Sequence, residues 1–407
     1  MFIDNNLLYT KTEVEAWYKL PTSRFVFRST NDRIQEALNT DNLLSSATAA
    51  LGKDTYAHML AGAVPFDTPG WLEGTLEANR EVMGGNVTLE SRNYAISEAR
   101  RINEMQPYTQ SCFIGISLGN RVSSVIDGKP DSIGDALKVG RDAMDKMFGQ
   151  ESYPSAAEKK LWRERLEVLH NVMVSGSGGG EPAEPVNEDT LNFLIRRPFG
   201  PQLGPDPTCA LREHASCVET LVDEGEEPTF TVTSCFARFP QEIRFPEFGP
   251  WIAKVFEEDE TAWFSARFRL VPAVKVRKML SNKIKQTLDE AQNAEIAGKY
   301  SMDIQERTES ATILEHEMSK STEPWIFGHY TVTQTSDTLK GAKKKASAMR
   351  QAFHAQKIEL ATPPGSQYPL MLQTVPGQKL TVKDYAQYHN LSIIGGGLPA
   401  ASNAAGD

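Results

Sequence analysis

The chain has 407 residues, a length that predicts more than one domain. Of these residues 40% are hydrophobic and 24% charged, which is typical of a globular protein. Its 43 basic and 53 acidic residues give a net charge of −10, which argues against a dedicated binder of nucleic-acid backbone. No apolar run reaches the roughly 20 residues of a membrane-spanning helix. The first residues carry early acids and no apolar core, so we expect no signal peptide.

The first part of the chain alternates helical and strand-like patterns. Apolar residues at helical spacing predict helices over 32–51, from Pro69 onward and over 156–174. Short apolar runs predict buried strands at 56–66 and 111–119. Together these elements predict an N-terminal α/β subdomain over residues 1–174.

A second alternating region follows a stretch rich in glycine, serine, proline and acids. This stretch predicts a linker over 175–187, and the next patterns predict a second α/β subdomain with long helices over 188–362. Its predicted strands lie at 229–240, 262–272, 325–336 and 357–364. Its predicted helices begin near Leu191, Phe248 and Val276, cover 303–319, and include one that starts at Ser336 or Asp337.

The strand predicted at 262–272 shows clear alternation. Phe264, Ala266, Phe268 and Leu270 point one way, and Ser265, Arg267 and Arg269 point the other. The pattern predicts a strand with one covered face. The predicted fold class is α/β in α+β layers: two subdomains of mixed sheet with packed helices, then an extended, irregular C-terminal connector over 363–407.

Motifs of familiar catalytic sites are missing from the sequence. No Gly-Lys-Ser or Gly-Lys-Thr completes a phosphate-binding loop, and neither a G-x-S-x-G nor an H-E-x-x-H motif occurs. The cysteines form no C-x-x-C pair, and we interpret them as isolated reduced thiols. Cys209, His214 and Cys217 come closest to a site, although their spacing fits no standard zinc pattern. We therefore assign no catalytic, cofactor or metal residue, and an enzyme with an unrecognised site stays an alternative.

One basic cluster stands out, and it is the candidate patch for nucleic acid or a protein partner. Its residues are Lys340, Lys343, Lys344, Lys345 and Arg350. Such a run is usually the solvated face of a helix. A nucleic-acid-binding module of a mobile element is the alternative, and it gains weight if other basic residues share that surface. Those residues are Arg267, Arg269, Arg277 and Lys278.

Short motifs near the C-terminus occur in a recognisable order. They are Val375-Pro376-Gly377, Asp384-Tyr385, Gly396-Gly397-Leu398-Pro399 and Gly406-Asp407. Their order resembles the connector that precedes the nucleotide-binding loop in conjugation ATPases of type IV secretion, the TraC-like, VirB-type family of Gram-positive and especially actinobacterial mobile elements.

Earlier segments are similar to the same family. They are the stretch with Trp17, Leu20-Pro21 and Phe27-Arg28, the strand over 112–121, the helix with Arg196-Arg197 and Gly200, and the strand–helix block over 245–284. The resemblance therefore covers most of the chain. In that family the phosphate-binding loop, an acidic strand-end residue and an arginine finger lie in a C-terminal motor domain, and no position of this chain matches them.

The resemblance implies a non-catalytic N-terminal module of a DNA-transfer ATPase. Its expected place is the cytoplasm, peripheral at the inner face of the cell membrane. Its expected partners are inner-membrane conjugation proteins and an ATPase motor domain, or further copies in a ring. ATP and Mg²⁺ would belong to the motor domain. Direct DNA contact would fall to the basic cluster on 340–350, and a small-molecule substrate is not expected. We predict that the last ten residues or so are poorly anchored.

Overall fold

The secondary structure follows the predicted alternation closely. A computed structural model describes residues 1–21, 29–51, 55–66, 68–82, 85, 87–105, 108–121, 153–175, 182–199, 209–221, 227–240, 251–297 and 324–397, with scattered positions between 302 and 316. The first region contains β1 (Phe2–Asp4), β2 (Leu7–Tyr9), β3 (Glu13–Lys19), α1 (Thr30–Leu51), β4 (Tyr56–Pro65), α2 (Thr68–Val82), α3 (Leu89–Met105), β5 (Tyr108–Asn120) and α4 (Ala156–Ser175).

The linker stretch, the second region and the connector supply the remaining elements. The stretch predicted as a linker contains β6 (Glu184–Pro185). The second region contains α5 (Glu188–Arg196), a 3-10 turn (Arg197–Phe199), β7 (Ala210–His214), β8 (Cys217–Leu221), β9 (Thr229–Arg238), α6 (Ala253–Glu258), β10 (Trp263–Val271), α7 (Ala273–Ile296), β11 (Trp325–Ser336), α8 (Leu339–Ala355) and β12 (Glu359–Ala361). The connector contains α9 (Gln367–Leu372), β13 (Gln387–Asn390) and α10 (Ser392–Gly397).

The predicted mixed α/β class is confirmed, and the strands form one continuous sheet. Its main order is β1-β2-β3-β5-β4-β10-β11-β9-β8-β7, with β6 on β3, β12 on β9 and β13 on β11. The described pairings are antiparallel. The two regions predicted as subdomains each contribute one half, and β4 and β10 join them.

The two halves repeat one layout about the β4–β10 seam. Each half has a two-stranded hairpin at its edge, then a strand, a helical crossover to a parallel strand, and a third strand inserted antiparallel between those two. This is a split β-α-β arrangement, used twice. Met59 pairs with Ala266 in the seam, and both seam strands run into a proline, Pro65 and Pro272. The chain is therefore an approximate two-fold duplicate.

One face of the sheet carries the main hydrophobic core, and we call it the helical face. Trp162, Leu169 and Met173 of α4 are buried there, as their helical spacing predicted. Phe264, Ala266 and Phe268 of β10 face the same core. Aromatic rings of the second region cluster in this core, where Phe236 meets Trp251 edge to face at 5.2 Å.

Three local predictions need correction. The strand β10 was predicted to have one covered face, yet Ser265 is buried on the other face and the Arg267 guanidinium donates to main-chain carbonyls there. Helix α8 is capped by Thr338, whose hydroxyl accepts from the Gly341 amide at 3.1 Å, rather than by Ser336 or Asp337. The connector is not irregular throughout, because α9, β13 and α10 lie within it.

Candidate functional site: the connector clamp

A row of directly paired residues crosses the middle of the sheet opposite the helical face. The row comprises Trp17, Gly115, His58, Arg267 and His329, one from each of five neighbouring strands. Paired residues of adjacent strands project to the same side of a sheet. We call this side the connector face. Its central arginine and two histidines need hydrogen-bond partners, because burying an unpaired polar group is costly.

The partners come from a tight turn in the connector. Pro376 and Gly377 occupy its central positions, and the Gln378 amide donates to the Val375 carbonyl at 3.2 Å. Gly377 has a φ of +73°, which fits a type II turn with proline followed by glycine. A Cβ at Gly377 would also lie 2.6 Å from Thr10 Cγ2. Glycine is therefore required twice, for its conformation and for the close approach to the sheet.

Two arginines hold three successive carbonyls before this turn. Arg267 donates from Nε to the Gln373 carbonyl at 2.6 Å and from Nη2 to the Val375 carbonyl at 2.7 Å. Arg197 donates from Nη2 to the Thr374 carbonyl at 2.7 Å. Charged donors make stronger hydrogen bonds than neutral ones. The main chain at 373–375 is thus fixed by charge-assisted bonds from the sheet and from the 3-10 turn.

An acidic residue of the first half also holds this turn. The Gly377 amide donates to Glu15 Oε2 at 2.9 Å, and Trp17 Nε1 donates to the same oxygen at 3.0 Å. Burial raises the pKa of Glu15, while attraction to Arg267 acts in the opposite direction. We call Glu15, Arg197, Arg267 and His329, which hold the segment 373–377, the connector clamp.

Both histidines of the row are held neutral. Burial, followed by the nearby Arg267, keeps the pKa of His58 well below its ordinary value and lowers that of His329 to about 4. His58 Nε2 lies 2.9 Å from Ser265 Oγ, and His329 Nδ1 lies 3.1 Å from Gln373 Nε2. The other ring nitrogen of each has no hydrogen-bond partner among the described residues, so nothing there stabilises a second proton.

The His58–Ser265 contact has the distance found in serine nucleophiles paired with a base. Both residues are nevertheless buried, at 2% and 3% exposure. They lie on neighbouring strands beside a packed ring, Trp17, whose centroid is 5.4 Å from that of His58. In this arrangement each side chain satisfies one buried polar atom of the other.

Aromatic rings shield the clamp, and glycines make room for them. The Trp17 indole covers Gly115 on the next strand, and the Trp263 indole covers Gly62. The Arg197 guanidinium stacks 4.3 Å from the Trp263 ring centroid. Burial lowers the pKa of Arg197 to about 9, still above neutrality, so its charge persists.

The connector is attached at further points on both sides of the clamp. Gln367 donates to the Thr233 carbonyl at 3.2 Å and accepts from its amide at 3.0 Å, filling the edge of β9 between β8 and β12. Beyond the clamp, β13 pairs with β11, and α10 packs on α1. Gly395 lies so close to Asp41 of α1 that a Cβ would collide with its carboxylate. The connector thus ties both halves together.

The predicted basic patch is only partly free. Lys340, Lys343 and Lys344 are exposed on α8, but Lys345 pairs with Asp259 at 3.2 Å and Arg350 donates to Thr362 at 3.0 Å. Of the four basic residues that would have enlarged this patch, Arg267 lies on the opposite face of the sheet from α8. Arg267 therefore does not share a surface with the lysines of α8.

The cysteine–histidine candidates do not converge either. His214 and Cys217 face each other across the β7–β8 turn, and His214 Nε2 contacts Glu219 Oε2 at 2.8 Å. Cys209 precedes β7 at the far end of that hairpin, about 17 Å away along the strand. Within the described ranges, no group of three or more His, Cys, Asp or Glu side chains is placed to hold a metal ion.

The clamp residues were largely missed by sequence reasoning. Arg267 was assigned to solvent because it alternates with apolar neighbours, and Glu15 and His329 drew no attention. One sequence signal of a buried polar site was present, because His58 interrupts a strand that is otherwise apolar. A lone histidine of that kind is typical of a buried polar contact. Its partners on distant segments could not be read from local sequence.

No family model matches the chain, and no curated protein matches it. Among the described residues, no helix is long and apolar enough to cross a membrane. Several residues of the family-like motifs lie outside the described part: Phe27-Arg28, Gly200, Leu398-Pro399 and Gly406-Asp407. So do the last ten residues, whose anchoring was predicted to be poor. The family assignment stays a prediction.

Proposed function

We propose that this chain is the non-catalytic N-terminal module of a type IV secretion, conjugative DNA-transfer ATPase. In this role it docks on inner-membrane conjugation proteins, from the cytoplasmic side and peripherally, and presents its connector to an ATPase motor domain. ATP and Mg²⁺ act in the motor domain. The DNA that is transferred is the cargo of the assembly rather than a ligand of this module.

One observation carries the proposal: segments that share the family resemblance meet at the connector clamp. Trp17, Gly115, Arg197 and Arg267 come from four of these segments, and the Val375-Pro376-Gly377 turn comes from a fifth. These segments are far apart in sequence. Their meeting gives each motif a physical role in holding one turn, which supports the idea that the motifs belong together.

The clamp also suits a module that transmits position or force. A connector fixed only at its end would swivel, since a flexible chain holds no angle. This connector is fixed at β9, at the clamp, along β11 and on α1. Any domain attached after it would therefore be held in a fixed orientation relative to the whole sheet, and movement of that domain would be transmitted to both halves.

Titration calorimetry of the purified chain with MgATP tests the non-catalytic assignment. We expect no saturable heat up to millimolar nucleotide, and saturable binding at micromolar concentration would refute the proposal. Co-purification with the inner-membrane proteins of the same mobile element tests the docking role. The wild-type chain should be retained by them, and a chain that stays in the unbound fraction at low salt would contradict docking.

A further inference from the structure

Two helical arms project from the middle of the sheet, one in each half. The first arm is α2 with α3, which follow β4 and pack against each other. Only Thr68, Ala95 and Ala99 are buried in this pair. The second arm is α7, whose first turn is anchored where Ala273 and Val276 contact β10 and β11. Beyond these roots, both arms expose most of their surface, and along α7 only Ile284 and Ala291 are buried among the residues whose side chains the structure describes.

The two arms of one chain leave from opposite ends of the seam. Because β4 and β10 are antiparallel, the end of β4 lies beside the start of β10. The roots of the arms are therefore separated by the length of the seam, about 30 Å for nine or ten residues. Helices α2 and α7 of one chain make no extensive contact with each other.

The first arm carries an acidic stripe that ends in an apolar tip. Glu73, Glu77 and Glu81 are exposed at a spacing of four residues, which places them along one side of α2 over about 12 Å. No described residue forms an ion pair with them. Beyond the stripe, Val82 at the end of α2 and Leu89 at the start of α3 are 84% and 73% exposed.

The second arm carries a basic stripe of similar length. Lys275, Lys278 and Lys285 are exposed on α7 over about 15 Å, and residues 273–285 include no acid. No described side chain forms an ion pair with these three lysines. Val274 and Leu288 flank the stripe, and Val274 is 76% exposed. Each stripe thus has opposite charge, matching length and adjacent apolar residues.

We propose that the α2–α3 arm of one chain docks on α7 of a second copy, with the acidic stripe against the basic stripe. Because the two arms leave opposite ends of the seam, each copy offers one acidic and one basic arm. The contact is heterologous and joins copies head to tail, so it builds a ring if the rotation closes and a filament if it does not. This inference rests on the arms alone and is independent of the proposed membership in a DNA-transfer ATPase.

Two charge-reversed chains test the docking surface directly. The acid-arm variant is Glu73→Lys, Glu77→Lys and Glu81→Lys, and the basic-arm variant is Lys275→Glu, Lys278→Glu and Lys285→Glu. Each variant then carries two arms of like charge and should self-associate much more weakly than wild type. Mixed together they restore every opposite-charge contact. A matched control reverses three lysines on α8, at Lys340, Lys343 and Lys344.

Sedimentation velocity over a concentration series, at about 50 mM and 500 mM salt, gives the readout. We expect wild type and the α8 control to self-associate at low salt and to weaken at high salt. Each arm variant alone should associate roughly a hundredfold more weakly, because three surface ion pairs are lost and three repulsions replace them. The equimolar mixture should recover association to within about tenfold of wild type.

Three outcomes overturn the proposal. One is a wild-type chain that stays monomeric at low salt. Another is a mixture of the two variants that fails to associate. The third is a monomeric chain whose basic arm instead binds vesicles containing phosphatidylglycerol, since this result would assign the stripe to an anionic membrane surface. Circular dichroism of each variant shows that it is folded, so that lost association reports on the contact.

Discussion

Replacing Arg267 by methionine should release the connector from the sheet. The change removes the guanidinium while keeping an unbranched side chain of similar length. Two charge-assisted hydrogen bonds, to the carbonyls of Gln373 and Val375, are lost. At about 2 kcal/mol each, the opening free energy of the 373–377 segment should fall by about 4 kcal/mol. Glu15 also loses the positive charge that opposes the effect of burial on its carboxyl group.

Hydrogen exchange read by mass spectrometry measures this effect locally. A fall of about 4 kcal/mol corresponds to roughly a thousandfold faster exchange of amides at 373–377 and in β13. Peptides from α8 should exchange as in wild type. The matched control is Arg269→Met, on the same face two residues along, where the guanidinium lies beside Tyr56 and Phe327. The reasoning fails if Arg267→Met accelerates connector exchange less than tenfold, or no more than the control does.

Three further predictions concern the clamp and its surroundings. Burial lowers the pKa of His329 to about 4, so its contribution to stability is full above about pH 6.5 and falls as pH drops toward about 4, because only the unfolded chain gains the proton. Between pH 7 and 5 this histidine should cost about 2 kcal/mol, so denaturant melts of His329→Gln should lose about 2 kcal/mol less than wild type over that interval. Gly115→Ala drives a Cβ into the Trp17 indole and should lower the free energy of unfolding by about 3 kcal/mol in the same melts. The control Gly74→Ala, at an exposed position of α2, should raise it by about 1 kcal/mol. Equal effects of the two substitutions would disprove the packing argument. Gly395→Ala should displace α10 from α1 and raise proteolysis at 391–397, and an unchanged cleavage pattern would show that the close approach is tolerated.

Much of the fold was predictable because its signals are local. The alternation around Phe264 and Phe268 correctly predicted a strand and one buried face. The same alternation wrongly left Arg267 in solvent, because period two shows which residues share a face and not whether that face is covered. Its cover comes from a turn more than 100 residues later in the chain. The clamp was therefore invisible until distant segments were placed side by side.

The pairing between strands that are distant in sequence also could not be predicted from local sequence patterns. The stretch at 175–187 has the composition of a linker, yet its last part forms β6 (Glu184–Pro185) on β3. Composition cannot show that β4 and β10, on either side of that stretch, pair along most of their length. The role of the Gly395–Gly397 run also could not be predicted from local sequence. Its sequence suggests the approach to a phosphate loop, whereas its structural reason is the close packing of α10 on α1 and beside Ile252, 2.8 Å from a Cβ at Gly397.

The β4–β10 seam has a consequence for work with fragments. Each half expressed alone would carry its seam strand as an open edge with unpaired main-chain groups, ready to pair with another chain. Since the seam is antiparallel and centred on Met59 and Ala266, two identical halves could align their own seam strands about the same centre. A fragment should then appear as a two-fold dimer that imitates the intact molecule. The oligomeric state measured for such a fragment would result from the exposed seam strand and would not be that of the intact protein.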